Sequence, residues 1–512
     1  MKPKHLVLFL AVYGILYFIL FPGFRYVISP VSTGYFSVAE QVAHGNFFNS
    51  INGTWNPLGS WLLTPLLRLP LDEILAAKYL NGVYGCICLV VFFYVVKKFR
   101  IQFFIEIIVM ASAVLLVLHF AFNRIFGDLL PIIFLLAYIN IILSEKFADG
   151  YKMSLLAGFI AGICFYAKAY TFYFALIHIP LAVYLSQRGT AKFSKTDFIK
   201  RSFAGLLVLC ITVSLWFVVL HIKYGHFIAG QQNFISTFSG MQTGPRVVFT
   251  PPPFPGAYSL FDDVIYKKHV FITPFTNWKF FASQLKLVAF NIFETIHHFN
   301  DFSFAIIIII LLSIFFYKNY LDQKRTRLLL SFILIWPLGY LFFHVEQRYL
   351  WIIDLCVLLL SGILASAVIS NFHFTSKWLY IFSIIIIGKF WIYPIVELSN
   401  QYGSGKNYFE IANAFRKNNI SGNMLYSNQG SEEFSKSVVI NFLSRNKQYG
   451  PFTTDYTDRE ISDAIKQHHI NYYVLYYDTP SQKDLLLHSS SVFNPTAVME
   501  NIYPGVIILK FN

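Results

Sequence analysis

The ionisable residues that could do chemistry together stand in turns between apolar runs. Arg124 and Asp128 are four apart in NRIFGD, Lys168 stands in FYAKAY, and Glu346, Arg348 and Tyr349 fall within HVEQRY. An earlier polar stretch, PVSTGYFSVAEQVAHGN, carries Tyr35, Glu40 and His44, and Trp55 follows it. A later one carries Asp262 and Asp263. Cations beside carboxylates suit a displacement with a phosphate leaving group. The cations stabilise charge on the departing phosphate, and a carboxylate takes the proton of an incoming hydroxyl. Each residue also has a plainer reading. Arg124 and Asp128 can pair across a helix start, where the dipole favours an acid. Lys168 can extend its ammonium to the bilayer edge. Glu346 and Arg348 can be solvated turn residues, and His44 and Trp55 can serve structure alone. Asp354, about one turn into the following apolar run, is a candidate partner for Arg348 or Lys168.

These residues are positioned by a membrane protein. Of 512 residues, 56% are hydrophobic and 13% charged, and mean hydropathy is +0.56. A soluble domain carries about a quarter charged residues. The formal charge of +14 comes largely from Lys and Arg in short loops between apolar runs, as membrane topology requires, so nucleic acid is not an expected partner. Five cysteines all lie inside apolar runs, which excludes a disulfide framework or a zinc site.

A helix needs about 20 apolar residues to cross a bilayer. Eleven spans are expected: about 5–22, 74–96, 101–122, a fourth from Asp128, two short ones within 153–187, and then 202–222, 303–317, 328–344, 349–371 and 378–396. Five turns with Lys/Arg clusters or a lone Lys fall on the side of Met1. The positive-inside rule makes that side cytoplasmic. The first segment is expected to stay uncleaved, because its apolar core is long and no small-residue cleavage site follows.

The other face receives residues 23–73, 123–127, the turn around 168, 223–302, 344–348 and 397–512, and with them, at segment or span ends, the candidates named first apart from Asp354. Residues 33–45 and 55–69 have helical apolar spacing and read as helices lying in the interface. So does 277–299. The expected organisation is a transmembrane domain over 1–396, with outer loops 23–73 and 223–302, and an extracytoplasmic α/β domain over 397–512. In the latter, 422–427, 471–477 and 505–511 read as strands, and 407–418, 431–445 and 458–469 as helices.

In these residues the chain resembles the GT-C superfamily of polytopic glycosyltransferases. Within it the likeness is to the branch of protein O-mannosyltransferases and aminoarabinose transferases (glycosyltransferase 39-like) of bacterial inner membranes. GYFSVAEQVAHGNFFNSINGTWNPLGSWLLTPLL resembles the first outer loop, NRIFGDLL the Arg/Asp motif of the fourth span, GICFYAKAY the Lys-bearing turn, and HVEQRYLW the late Glu/Arg/Tyr motif. The resemblance implies a GT-C-like fold and transfer of a sugar from a polyprenyl-phosphate donor to an envelope glycan, lipid or protein acceptor. It places the chain in the bacterial inner membrane, among membrane lipids. It implies phosphate binding by Lys168 and Arg348, with Arg124, Glu346, Tyr349, Tyr35 and Trp55 around the substrate.

One departure stands out. The family carries an acid a few residues before the loop aromatic, and here that stretch is Pro30, Val31, Ser32, Thr33 and Gly34. Asp128 or Glu40 takes over as base, or Asp262 or Asp263 reaches in, or the chemistry is lost. Some superfamily members bind a divalent metal near these acids, and without the loop Asp none is assumed. A non-catalytic binder of lipid-linked sugar is the alternative. A lipid-glycan transporter is a further one, though neither internal pseudo-symmetry nor broken midplane helices are seen.

Overall fold

In a computed structural model of the chain, helix occupies each of the eleven apolar segments. The structure describes residues 3–123, 125, 127–148, 150–188, 194–225, 249–263, 277–303, 305–371, 376–426, 431–450 and 457–511. The helices are α1 (Pro3–Phe24), α2 (Pro30–Ala43), α3 (Phe47–Ser50), α4 (Pro57–Leu63), α5 (Glu73–Val96), α6 (Phe103–Asn123), α7 (Leu129–Ile142) and α8 (Tyr151–Ala167). There follow α9 (Tyr170–Gln187), α10 (Lys195–Tyr224), α11 (Trp278–Ser303), α12 (Ala305–Tyr320), α13 (Gln323–Ile335), α14 (Gln347–Asn371) and α15 (Ser376–Gln401).

Among the described residues, six are long and apolar enough to cross a membrane: α1, α5, α6, α10, α14, and α13 with its 3-10 continuation to Phe342. α7 and α8 are apolar but span only 14 and 17 residues. At 1.5 Å per residue they are shorter than the roughly 30 Å hydrocarbon layer. α11 and α12 meet at a bend of 101°. α14 is buried on all sides from Leu350 to Leu364. That fits an all-apolar helix at the centre of a bundle. α1 instead leaves Val7, Leu8, Ile15, Phe18 and Ile19 exposed, as a lipid-facing outer helix does.

The first outer loop departs from expectation. α2 is not an interfacial helix, because Ser32 to Ala39 are all buried. Ser29 caps it, its hydroxyl accepting from Ser32 N at 3.3 Å, and Pro30 opens the first turn. Small side chains let its neighbours approach closely. A Cβ at Gly34 would fall 2.3 Å from Trp55 Nε1. The expected helix over 55–69 is divided into α4 and a 3-10 turn at 66–68, with Pro65 between them.

The last hundred residues form α16 (Lys406–Lys417), α17 (Ser431–Ser444), α18 (Asp458–Gln467) and α19 (Pro480–Ser490) around β1 (Asn423–Tyr426), β2 (Lys447–Tyr449), β3 (Tyr472–Tyr476), β4 (Ala497–Tyr503) and β5 (Val506–Lys510). The sheet order is β2-β1-β3-β5-β4. β1 is parallel to β2 and β3, and β5 is antiparallel to β3 and β4. The three expected strands are β1, β3 and β5, the buried ones. The two unexpected ones, β2 and β4, are the edges.

Candidate active site

The site is assembled where helices end. Asp128 stands at the start of α7, yet its carboxylate does not cap that helix. It turns to two cations instead. Lys168 Nζ lies 2.8 Å from Oδ1 and Arg348 Nη1 3.1 Å from Oδ2. Lys168 ends α8 in extended backbone, so its side chain leaves the helix and enters the corner. Arg348 lies in the first turn of α14. Its Nε and Nη2 each lie 2.7 Å from a Glu346 oxygen, the bidentate geometry that a planar guanidinium favours.

Aromatic residues wall this network. The Tyr349 hydroxyl donates to Glu346 at 3.0 Å, and Lys168 Nζ sits 4.1 Å from the centre of its ring. Tyr349 stacks on Tyr340, which packs on Tyr170. From the other side α2 covers the segment leading to Asp128. Ser32 Oγ donates to Ile125 O at 3.0 Å. Gly127 has φ +97°, a region that favours glycine, and a Cβ there would meet the Tyr35 ring at 3.2 Å. Burial, then the nearby Asp128 charge, push the Tyr35 hydroxyl above its ordinary pKa. Burial pulls the Lys168 ammonium below its usual range, opposed by Asp128. The ion pairs are well shielded: side-chain exposure is 3% for Asp128, 11% for Arg348 and 20% for Lys168.

Of the residues named from sequence, Asp128, Lys168, Glu346, Arg348 and Tyr349 therefore converge, with Tyr35 against them. Arg124 lies outside the described residues. Trp55 is a wall residue, donating its indole N–H to Phe261 O at 2.8 Å and packing on Tyr35. Asp354 bonds neither Arg348 nor Lys168. It is buried without a hydrogen-bond partner among the described residues. It is six residues beyond Arg348, about 1.7 helical turns, which points it elsewhere in the bundle.

Glu40 belongs to a second cluster. Arg445 Nη1 lies 2.6 Å from its Oε1, and the Tyr258 hydroxyl donates to Oε2 at 3.1 Å. Arg445 Nη2 also reaches Glu73 at 2.8 Å. Asp262 and Asp263 act as staples between the two outer loops. Asp262 accepts from Ser37 Oγ at 2.9 Å and from Tyr258 N at 2.8 Å. Burial pushes its carboxyl up to about 7. Asp263 pairs with Lys223 at 2.8 Å, both side chains fully buried. Arg445, Tyr258, Glu73 and Lys223 were not singled out from sequence. They sit far apart in the chain, and no spacing marks them.

The corner does not fit a divalent metal. Arg348 engages both its carboxylates and Lys168 shares one of them, so a dication would compete with two positive charges. Among the described residues no three His, Cys, Asp or Glu side chains come together.

No known family model matches this sequence, and no curated protein matches it. Solved structures do match the fold. The chain is similar to ArnT, an aminoarabinose transferase of Cupriavidus metallidurans, bound to undecaprenyl phosphate. The TM-score is 0.56 at 11% identity, covering 99% of this chain and 98% of that one. Apo ArnT gives 0.54 at 12% identity over the same shares. The apo Archaeoglobus fulgidus oligosaccharyltransferase gives 0.51 at 10% identity, covering 92% of this chain and 69% of that one. These likenesses establish a polytopic membrane fold of the GT-C type.

Proposed function

We propose that this protein is a membrane glycosyltransferase that takes a sugar from a polyprenyl-phosphate donor and passes it to an envelope acceptor. The observation that carries the reading is the convergence of Lys168 and Arg348 on Asp128. A phosphate entering this corner competes with the carboxylate for the same two cations. As it takes them, Asp128 is released beside the reacting carbon. The acceptor oxygen then forms its bond to the sugar's anomeric carbon as the bond from that carbon to the phosphate oxygen breaks. The electron pair goes to the phosphate, held by Lys168 and Arg348, and the acceptor proton goes to Asp128. The anomeric configuration inverts. Donor binding and activation of the base are thus one event.

ArnT's capture with undecaprenyl phosphate supports a polyprenyl carrier. In this reading the fold lies in a bacterial inner membrane, with the N-terminus cytoplasmic, 1–396 as the transmembrane domain and 397–512 as an outer domain. A second reading rests on the first turn of α2, where Ser32, Thr33 and Gly34 present no carboxylate: a protein that holds lipid-linked sugar without transferring it.

The test uses membranes containing the full chain and a panel of radiolabelled polyprenyl-phosphate sugars. Label leaving the lipid with the native chain and not with Asp128→Asn supports the transferase. Equal loss from both removes Asp128 as base. Donor binding with no loss from any donor supports the second reading.

A further inference from the structure

At the end of the bundle away from Asp128, the turns after α5, α7 and α12, the first turn of α13 and the last turns of α14 line a half-open cavity of about 590 Å³. α14 itself measures the separation. It carries Arg348 in its first turn and Ser366 eighteen residues later, about 27 Å along the axis at 1.5 Å per residue. α7 does the same, with Asp128 at its start and Leu143, a cavity residue, just past its end.

The lining has two chemistries. Phe99, Leu143, Leu321 and Ile363 give an apolar wall at the level where the spans end. Against it stand Arg100, Lys324 and Arg325, with Glu145 and Asp322. Both acids are already engaged. Arg325 holds Glu145 at 3.0 Å and Asp322 at 3.1 Å, and Asp322 also caps α13. Three cations against two carboxylates leave the lining one net positive charge.

Two hydroxyls complete it. Ser366 Oγ accepts from Gln102 N at 3.0 Å and Ser370 Oγ from Gln102 Nε2 at 3.3 Å. Each acceptor role leaves the hydroxyl hydrogen available to donate. Cations and hydroxyl donors beside an apolar wall, at the rim of a membrane bundle, match a phosphate that bears a glycerol or acyl group.

We propose that this cavity is a second phosphate-binding site, on the face opposite the Asp128 corner, taking a phosphate-bearing anion through Arg100, Lys324, Ser366 and Ser370. An anionic phospholipid headgroup and a soluble phosphate share that chemistry. The site rests on the membrane fold and not on the transfer reaction, so its failure leaves the Asp128 reading intact.

The experiment is native mass spectrometry of the full chain, released from micelles with equal phosphatidylglycerol and phosphatidylcholine. The native chain is expected to retain phosphatidylglycerol over phosphatidylcholine. Arg100→Gln with Lys324→Gln is expected to weaken that retention by about tenfold or more. Lys195→Gln with Lys200→Gln, exposed at the start of α10 and outside the lining, is expected to leave it unchanged. Release of the lipid by excess inorganic phosphate assigns the site to phosphate in general; retention against it assigns the site to the lipid. Ser366→Ala with Ser370→Ala gives a charge-neutral check, with an expected drop of about threefold. Equal retention of the two lipids, or retention of phosphatidylglycerol unaltered in both cavity variants, overturns the proposal.

Discussion

Arg348 holds Asp128 with one nitrogen and Glu346 with its other two, at 3.1 and 2.7 Å. Only a planar, five-donor group can span both carboxylates, so lysine is not a conservative replacement here. Arg348→Ala is expected to lower sugar transfer by about 10²–10³, the cost of removing a donor aimed at developing charge. Arg348→Lys is expected to recover only part of it. Single-turnover transfer from a saturating labelled donor checks this. Full activity in Arg348→Lys would show that charge alone suffices and the fork does not matter.

In the proposed reaction Asp128 competes with the donor phosphate for Lys168 and Arg348, so removing its charge should separate binding from turnover. Asp128→Asn is expected to bind polyprenyl phosphate more tightly while transferring about 10²–10⁴-fold more slowly, as for loss of a general base. Binding measured by calorimetry in detergent, beside transfer rates, reads both. Weaker binding together with slower transfer would make Asp128 a ligand-binding group and not a competitor. Asp128→Ala, which leaves two shielded cations facing each other, is expected to cost stability on the order of 3–5 kcal/mol.

Asp262 makes the loop staple sensitive to pH. Burial pushes its carboxyl up to about 7 from an ordinary 3.8, opposed by the hydrogen bonds it accepts from the N–H of Tyr258 and the hydroxyl of Ser37. An acid with a raised folded pKa contributes fully to stability below its unfolded pKa and loses that contribution as pH rises through the folded value. Thermal stability is therefore expected to fall between about pH 4 and pH 7. Asp262→Asn, neutral throughout and still able to accept both hydrogen bonds, is expected to flatten that slope. Unfolding midpoints of both chains across this range decide it, and parallel slopes would remove Asp262 as the titrating group.

Much of this was legible because membrane folding writes itself in long apolar runs. All eleven segments became helix, and Lys168, Glu346, Arg348 and Tyr349 were marked by being charged or polar where such runs end. Their meeting with Asp128 was implied by the shared face. The missed parts share a physical cause. α2 reads as an amphipathic helix, but the small residues Ser32, Thr33, Gly34, Ser37 and Ala39 along it admit neighbours on every side, and sequence periodicity cannot see what arrives there. β2 and β4 are edge strands without the apolar runs that marked β1, β3 and β5. Lys223 and Asp263 are forty residues apart, and the pair exists only once the outer loop carrying Asp263 has folded back on the end of α10.

Gly127 gives a test of how finely Asp128 must be placed. Its φ of +97° and the Tyr35 ring 3.2 Å from where a Cβ would stand make any side chain costly. Gly127→Ala is expected to cost about 1–3 kcal/mol, as other backbone strain does, and to shift the residue that follows. Transfer should fall with donor binding little altered. Tyr35→Phe with Gly127→Ala keeps the ring and should not rescue, whereas Tyr35→Ala with Gly127→Ala opens space and should rescue in part. Rescue by neither, with normal stability, would point to the backbone angle alone.

Arg445 links the C-terminal sheet to the first outer loop. It leaves the turn after α17 and reaches Glu40 on α2, Glu73 at the start of α5, and the Tyr258 hydroxyl of the outer loop 223–302 at 2.6 Å. Phe442 on α17 packs on both Phe36 and Tyr258. The same helix α2 carries Tyr35 to the Asp128 segment. A change at Arg445 therefore has a mechanical route to the Asp128 corner through one rigid helix. Arg445→Ala strands two partly buried carboxylates, at about 1–3 kcal/mol. Hydrogen exchange is expected to rise over 30–43 and 257–263 and to stay unchanged in the central helix α14. Transfer is expected to slow through a higher KM for the acceptor, since Lys168 and Arg348, the cations proposed to hold the donor phosphate, are untouched. Glu40→Gln, which keeps a hydrogen-bond acceptor for Arg445 and Tyr258, should do much less. If Glu40→Gln abolishes transfer while exchange over α2 stays native, Glu40 acts on the reaction directly and the tie to Arg445 is secondary.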